Sequence, residues 1–292
     1  MNLSWKISLA DAGKLLKKFL AEQNISRTAL RAIKFQGGSI LVNGNEQNTR
    51  TVLQVEDSVH IVFPPEVPSE QIIPERLPLD IVYEDEAVLV INKPAGMSTI
   101  PSEKHPLGNL ANVLLYHYQQ IGLTSTIHVV TRLDRDTSGL VLIAKHRHIH
   151  HLLSQAQQKH QIKRVYEALV SGVIAGEQVI EAPIGRKVDS IIERQVRSDG
   201  KYALTYLQSL TVHRGKYSHI RLRLETGRTH QIRVHLAHIG HPLLGDDLYG
   251  GSRQLIPRQA LHCCQLAFLH PIMKKELLFV SALPADLAQL VE

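Results

Sequence analysis

The chain has 292 residues, 43% of them hydrophobic and 21% charged, which fits a globular protein of about two domains with a core that needs no disulfide or metal staple. Lys and Arg outnumber Asp and Glu by 33 to 27, a net charge of +6 that suits either an anionic partner or an ordinary basic surface. No stretch approaches the ~18 apolar residues of a membrane span, and the opening MNLSWKISLADAGKLLKKFL lacks the apolar run of a signal peptide, so a cytoplasmic protein with no membrane partner is expected.

In chain order, Leu15, Leu16, Phe19 and Leu20 fall at helical spacing and predict a helix over 10–23. Ser26 is placed to cap a second helix over 27–35, which Gly37 and Gly38 stop. Arg27, Arg31 and Lys34 lie on that helix. SILVNG and DSVHIVF read as short strands, with a tight turn at Asn43-Gly44-Asn45. Residues 64–77 are rich in proline and charge and read as a linker, separating a unit of 1–63 from one of 78–292. Beyond it, LPLDIVYEDEAVLVINKP, GLVLIAK (139–145), RVYEALVSG (164–172) and the alternating HIRLRLET have the Val and Ile content of strands. Residues 147–160 suggest a surface helix. A further helix is expected from about Thr229, with Ile232, Leu236 and Ile239 on one face and Gly240 as its stop. The sum is an α+β fold on a mixed, mainly antiparallel sheet, preceded by a small α/β domain.

TRLDRDTSGLVLIAK (131–145) carries the chemistry. It sets Arg132, Asp134, Arg135 and Asp136 directly before a buried strand. Burying such charges unpaired is costly, and a charged loop at the mouth of a strand is a usual place for function; composition alone fits a solvated turn equally well. The stretch resembles the R-L-D-x-x-T-S/T-G signature of the RluA-type pseudouridine synthases. VYEDEAVLVINKPAGM (82–97), KRVYEALVSG (163–172) and LETGRTHQIRVHLAHIGHPLLGDDLYG (224–250) resemble further blocks of that family in the same order. SRTALRAIKFQGGSILVNG and VEDSVHIV are similar to the alpha-L RNA-binding module first described in the ribosomal protein called S-four. The chain departs from the family at Thr131, where a His is frequent; a hydroxyl replaces one hydrogen bond of an imidazole but not its charge or stacking face.

The resemblance implies an enzyme that breaks the N-glycosidic bond of a uridine in RNA, turns the uracil and rejoins it to the same ribose through carbon five. It implies Asp134 as the catalytic carboxylate, acting as a nucleophile on the anomeric carbon or as a base on the 2′ proton. Arg233 would keep that carboxylate ionised with a planar fork reaching both its oxygens. Tyr166 would lie against the extruded base. Arg132, Arg135, Arg228 and His230 are read as RNA-backbone or active-site loop contacts, and Arg27, Arg31 and Lys34 as the RNA face of the first domain. Asp136 is read as a loop carboxylate bound to backbone amides or to Arg132 or Arg135. The implied partner is ribosomal RNA of the large subunit, with transfer RNA or an inactive RNA-binding protein as alternatives, and the chain is expected to be a monomer without a cofactor.

Histidine is abundant, with seventeen residues, and HRHIHH (146–151) places His146 and His150 four apart, as metal ligands on a helix can be. The H-x-E and P-C-x-x-C pattern of the zinc base deaminases is absent, so no metal is expected and the stretch reads as a polar surface face. Cys263 and Cys264 are the only cysteines; their adjacency disfavours a mutual disulfide and fits a reducing compartment.

Overall fold

The computed structural model describes residues 1–101 and 106–292. The first unit comprises β1 (Asn2–Lys6), α1 (Leu16–Glu22), α2 (Arg27–Phe35), β2 (Ser39–Val42), β3 (Asn45–Glu46) and β4 (Ser58–Val62). Its strands form an antiparallel sheet in the order β1-β4-β2-β3. The Ser26 hydroxyl accepts from the Ala29 amide at 3.1 Å, the side-chain cap expected for α2. The hairpin turns through Asn43 and Gly44 at φ 51° and 80°, the left-handed pair that joins two strands in a tight turn. Phe19, Leu20, Ile33, Ile40, Val59 and Ile61 belong to a buried cluster distinct from the core of the rest of the chain.

Two details differ from expectation. The first helix starts at Leu16 rather than near residue 10. Asp11 instead closes a turn, accepting from Ser8 Oγ and Lys14 Nζ at 2.7 Å each, and Leu16 donates its amide to the Thr51 carbonyl. Strand β1 has no counterpart among the expected elements, because its order comes from pairing with β4, Asn2 opposite Val62 and Lys6 opposite Ser58.

The remaining elements are β5 (Ile81–Glu84), β6 (Val88–Lys93), α3 (Leu110–Gln120), β7 (His128–Val129), β8 (Ser138–Ala144), α4 (Arg147–Gln158), β9 (Lys163–Ser171), β10 (Glu177–Glu181), β11 (Ile184–Arg186), β12 (Arg194–Val196), β13 (Leu204–His213), β14 (Tyr217–Leu224), α5 (Gln231–His238), β15 (Leu261–Leu269), β16 (Glu276–Val280) and α6 (Ala285–Ala288). Among the described residues, ten strands form one sheet whose main path runs β10-β13-β14-β9-β15-β8-β6-β5. Every pairing in it is antiparallel except β15 with β8.

That parallel junction is short and tightly approached, with two register pairs. All seven residues of β8 are buried. Gly139 sits there at φ +114°, and a Cβ on it would fall 2.6 Å from the Cys263 amide nitrogen. Only glycine permits this backbone and this approach. In register, Gly139 faces Cys263 and Cys263 faces Tyr166, so one row crosses β8, β15 and β9. The loop that feeds β8 is thereby set beside Tyr166.

Residues 64–77 carry no regular structure and are tied down by polar bonds. Glu66 accepts from the Arg147 amide at 2.6 Å and lies 2.6 Å from His128 Nε2. Glu75 accepts from the Gly108 amide, and Asn112 donates to the Ile73 carbonyl, both at 2.5 Å. The stretch 146–151 is likewise not a purely polar face. His148 is buried in α4 and stacks on Phe63 with ring centroids 5.0 Å apart, while His150 stacks on His128 at 5.4 Å. Burial pushes His146 and His148 down to about 4, so both are neutral near pH 7.

Burial alone would raise the Glu66 carboxyl, but His128, the Arg147 amide and Thr126 hold it at about 2, against 4.5 in a free side chain. A folded pKa below the unfolded one contributes stability above about pH 4.5 and loses it as pH falls toward 2. Glu66→Gln is expected to cost about 1–3 kcal/mol at pH 7. It should also flatten the loss of stability between pH 4.5 and 2, as measured by urea unfolding across that range.

Candidate active site

The loop Thr131–Thr137 enters β8 with much of its backbone held by hydrogen bonds. Thr131 is buried, and its hydroxyl accepts from the Leu142 amide at 2.9 Å. Position 131 thus serves the backbone beside β8. Thr99 Oγ1 donates to the Leu133 carbonyl at 2.8 Å, and the Thr137 amide donates to that of Asp134 at 3.2 Å. Lys93 donates to the Arg135 carbonyl at 3.1 Å, and Arg258 to that of Asp136 at 3.2 Å. With four consecutive carbonyls held, the side chain of Asp134 is aimed into a hollow of about 490 Å3.

Arg233 approaches from α5, its side chain 9% exposed. Its fork does not embrace Asp134. Nε and Nη2 hold the two oxygens of Asp246 at 2.7 Å each, leaving Nη1 to donate to Asp134 Oδ2 at 3.1 Å. The geometry differs from the expected pair because a guanidinium this deeply buried binds the anion that is itself buried: Asp246 is 1% exposed at the side chain and Asp134 30%. Burial would weaken Arg233's hold on its proton, but Asp246 and then Asp134 raise its pKa above the ordinary arginine value. The Tyr249 ring lies under the guanidinium, 4.9 Å from centroid to Cζ.

Tyr166 is 3% exposed and contributes to the wall of the same hollow. Its hydroxyl accepts from Arg164 Nη1 at 3.3 Å. Burial raises the phenol pKa, opposed by the positive charge of Arg164. His230 starts α5 in the left-handed conformation, φ 56°, with Nδ1 2.8 Å from the Tyr249 hydroxyl and Nε2 3.8 Å from Asp134 Oδ2. Burial lowers its pKa against the pull of Asp134. Arg132, Arg135 and Arg228 line the hollow with exposed side chains. Arg135 donates to the Gly96 carbonyl and Arg228 to that of Tyr202, so both are oriented while keeping free donors. Arg27, Arg31 and Lys34 are not part of this site; they lie exposed along one face of α2.

Asp136 has neither of the arginine partners expected for it. The cation that faces it is Lys93, fully buried on β6, whose ammonium donates to the carbonyls of Pro94, Met97 and Arg135. Burial lowers the Lys93 pKa to about 7, against the pull of Asp136 and Asp134. Sequence reasoning assigned no role to Lys93, Asp246, Tyr249 or Arg164. A signal existed for Asp246: a buried arginine needs a buried acid, and GDDLYG follows Q-I-R within a few residues. Among the described residues no group of three or more His, Cys, Asp and Glu side chains is placed to hold a metal ion.

A mainly antiparallel sheet thus brings Asp134, the buried Tyr166 and Arg132, Arg135, Arg164, Arg228 and Arg233 to one hollow, a lining suited to an anionic ligand. Comparison with known proteins makes this specific. The family model of RNA pseudouridylate synthases matches residues 87–238. The RNA pseudouridine synthase YjbO of Bacillus subtilis is 49% identical over 95% of this chain and 98% of its own. The ribosomal large subunit pseudouridine synthase D of Pasteurella multocida is 38% identical over 100% of this chain and 94% of its own. The solved structure of human RNA Pseudouridylate Synthase Domain Containing 1 overlays with a TM-score of 0.57 at 26% identity, covering 73% of this chain and 93% of that one. The chain belongs to the RNA pseudouridylate synthase family, and is an isomerase that makes pseudouridine.

The two carboxylates on Arg233 differ in burial and so in what their loss costs. Asp246→Asn leaves a buried guanidinium half-compensated and is expected to destabilise the fold by about 3–5 kcal/mol. Asp134→Asn, partly exposed and singly bonded, is expected to cost less than about 1 kcal/mol. Urea unfolding of the two variants checks the order.

Proposed function

We propose that Asp134 is the catalytic carboxylate of a pseudouridine synthase acting on ribosomal RNA of the large subunit, with Tyr166 and Arg233 completing its site. The observation that carries the reading is the aim of Asp134: its loop is fixed at four consecutive carbonyls, and its carboxylate enters the hollow with a single bond from Arg233. The guanidinium donor at 3.1 Å gives that carboxylate a fixed charge partner and orients it in the hollow. In one route Asp134 attacks the anomeric carbon as N1 departs; in the other it takes the 2′ proton to give a glycal. In both, the uracil turns and carbon five bonds the anomeric carbon, displacing the Asp134 carboxylate in the first route and accompanied by return of the proton to the 2′ carbon in the second; carbon five then loses its proton and N1 gains one. Since the base must leave its stack first, at a cost of a few kcal/mol, a wall to rest on is useful. Tyr166 supplies it, and stacking returns roughly 1–3 kcal/mol per base. Burial keeps its phenol protonated, so proton transfer through that oxygen would depend on Arg164.

We assign residues 1–63 as an alpha-L RNA-binding domain and 78–292 as the catalytic domain, acting in the cytoplasm where its two thiols stay reduced. The separate core of the first unit supports the division. Arg27, Arg31 and Lys34, spaced at one face of α2, support phosphate contact there. The ribosomal target rests on the relatives that carry that name over the whole chain.

Asp134→Asn is expected to bind RNA as the wild type does and to form no pseudouridine; equal product from both would refute the assignment of the carboxylate. Mapping pseudouridines in total RNA with and without this gene tests the substrate, and a missing site in transfer RNA alone would replace the ribosomal reading. Replacing Arg27, Arg31 and Lys34 together by Ala should weaken binding to structured RNA by roughly tenfold or more and lower its salt dependence, as measured by filter binding at two salt concentrations.

A further inference from the structure

Beside the Asp134 hollow lies a second one of about 540 Å3, between the end of α4 and the loop that joins β14 to α5. The two share Gln157, Arg164, Leu224, Gly227 and Arg228, so they are continuous across a common rim. Neither the composition nor any sequence motif pointed to the second hollow.

Its charge is one-sided. Lys163, Arg164, Arg223 and Arg228 face it, with Glu225 the one carboxylate in its lining. Elsewhere on these strands the cations are neutralised: Glu167 takes Arg221 at 2.8 Å and lies 3.1 Å from His219. Two residues further along β14, Arg223 has no carboxylate within salt-bridge distance among the described residues. It lies instead over the Tyr206 ring, 4.4 Å from the centroid, a contact that orients the guanidinium and leaves its charge unspent. Lys163 and Arg164 likewise have no carboxylate partner among the described residues, and Arg164 is half-buried at the shared rim. Gly227 makes room for it: a Cβ there would stand 2.9 Å from Arg164 Nη2. Like charges gathered without counter-charge repel one another, and an anion that threads between them removes the repulsion.

We propose that this hollow is a second RNA subsite, which holds the backbone phosphates of the strand flanking the target uridine. The proposal rests on the reading that the Asp134 hollow takes the extruded nucleotide. Arg164 stands at the junction, with one nitrogen on the Tyr166 hydroxyl and another toward the flanking strand. Such contacts fix register on the strand without reading its sequence.

The test uses the full chain and single-stranded oligouridylates of three and twelve nucleotides. The wild type gains affinity from the short strand to the long one. In Lys163→Ala/Arg223→Ala that gain is expected to fall about tenfold, with the slope of log affinity against log salt lower by about 1.4, as two lost single-strand phosphate contacts require. The charge-keeping variant Lys163→Arg/Arg223→Lys should retain the wild-type slope, and thermal unfolding verifies that both variants fold. An unchanged length gain and slope in the folded alanine variant would overturn the subsite, as would equal losses in both variants. Failure of the functional reading is separate: a wild type that forms no pseudouridine in any RNA refutes that reading, whatever the oligouridylate affinities show.

Discussion

The site depends on one buried guanidinium shared by two carboxylates. Arg233 has been taken almost completely out of water, where an isolated charge is untenable. Asp246 occupies the two donors that form its natural fork, and this fixes the plane of the group. The donor left over points at Asp134 and has no freedom to swing toward a phosphate. Asp246 is sealed beside the guanidinium, and Asp134 is the member of the trio that is open to solvent. The direction of the donor offered to Asp134 therefore follows from where Asp246 is buried.

The sheet supplies the other half of the arrangement. Asp134, Tyr166 and Arg233 come from a loop, a strand and a helix far apart in sequence. The row from Gly139 through Cys263 to Tyr166 converts strand pairing into distance between the loop and the ring. Lys93 adds a support beneath the loop. Its amine donates to the carbonyls of Pro94, Met97 and Arg135, so it holds backbone there without a direct bond to Asp134.

Much of this was legible in residue pattern. The Ser26 cap, the Asn43-Gly44 turn, β8, β9, β14 and the stop of α5 at Gly240 are each dictated by local chemistry, and each stands where that chemistry puts it. Strands such as β1 and β10 were not legible, because their partners make them strands. The same holds at the site. Asp134, Tyr166 and Arg233 line one hollow. Asp246 and Lys93 owe their importance to burial beside particular atoms, which no spacing encodes. The histidines of 146–151 misled for a related reason: polar letters suggested a wet face, whereas His148 is packed on Phe63.

The middle of that strand row also bears on how the protein meets oxidants and electrophiles. Burial pushes the thiols of Cys263 and Cys264 up to about 11 and about 12, so neither carries appreciable thiolate at neutral pH. Both are sealed within the sheet that frames the hollow. Such sulfurs are silent while the sheet is closed and reactive only when it opens, which makes them a built-in clock for breathing of the catalytic core.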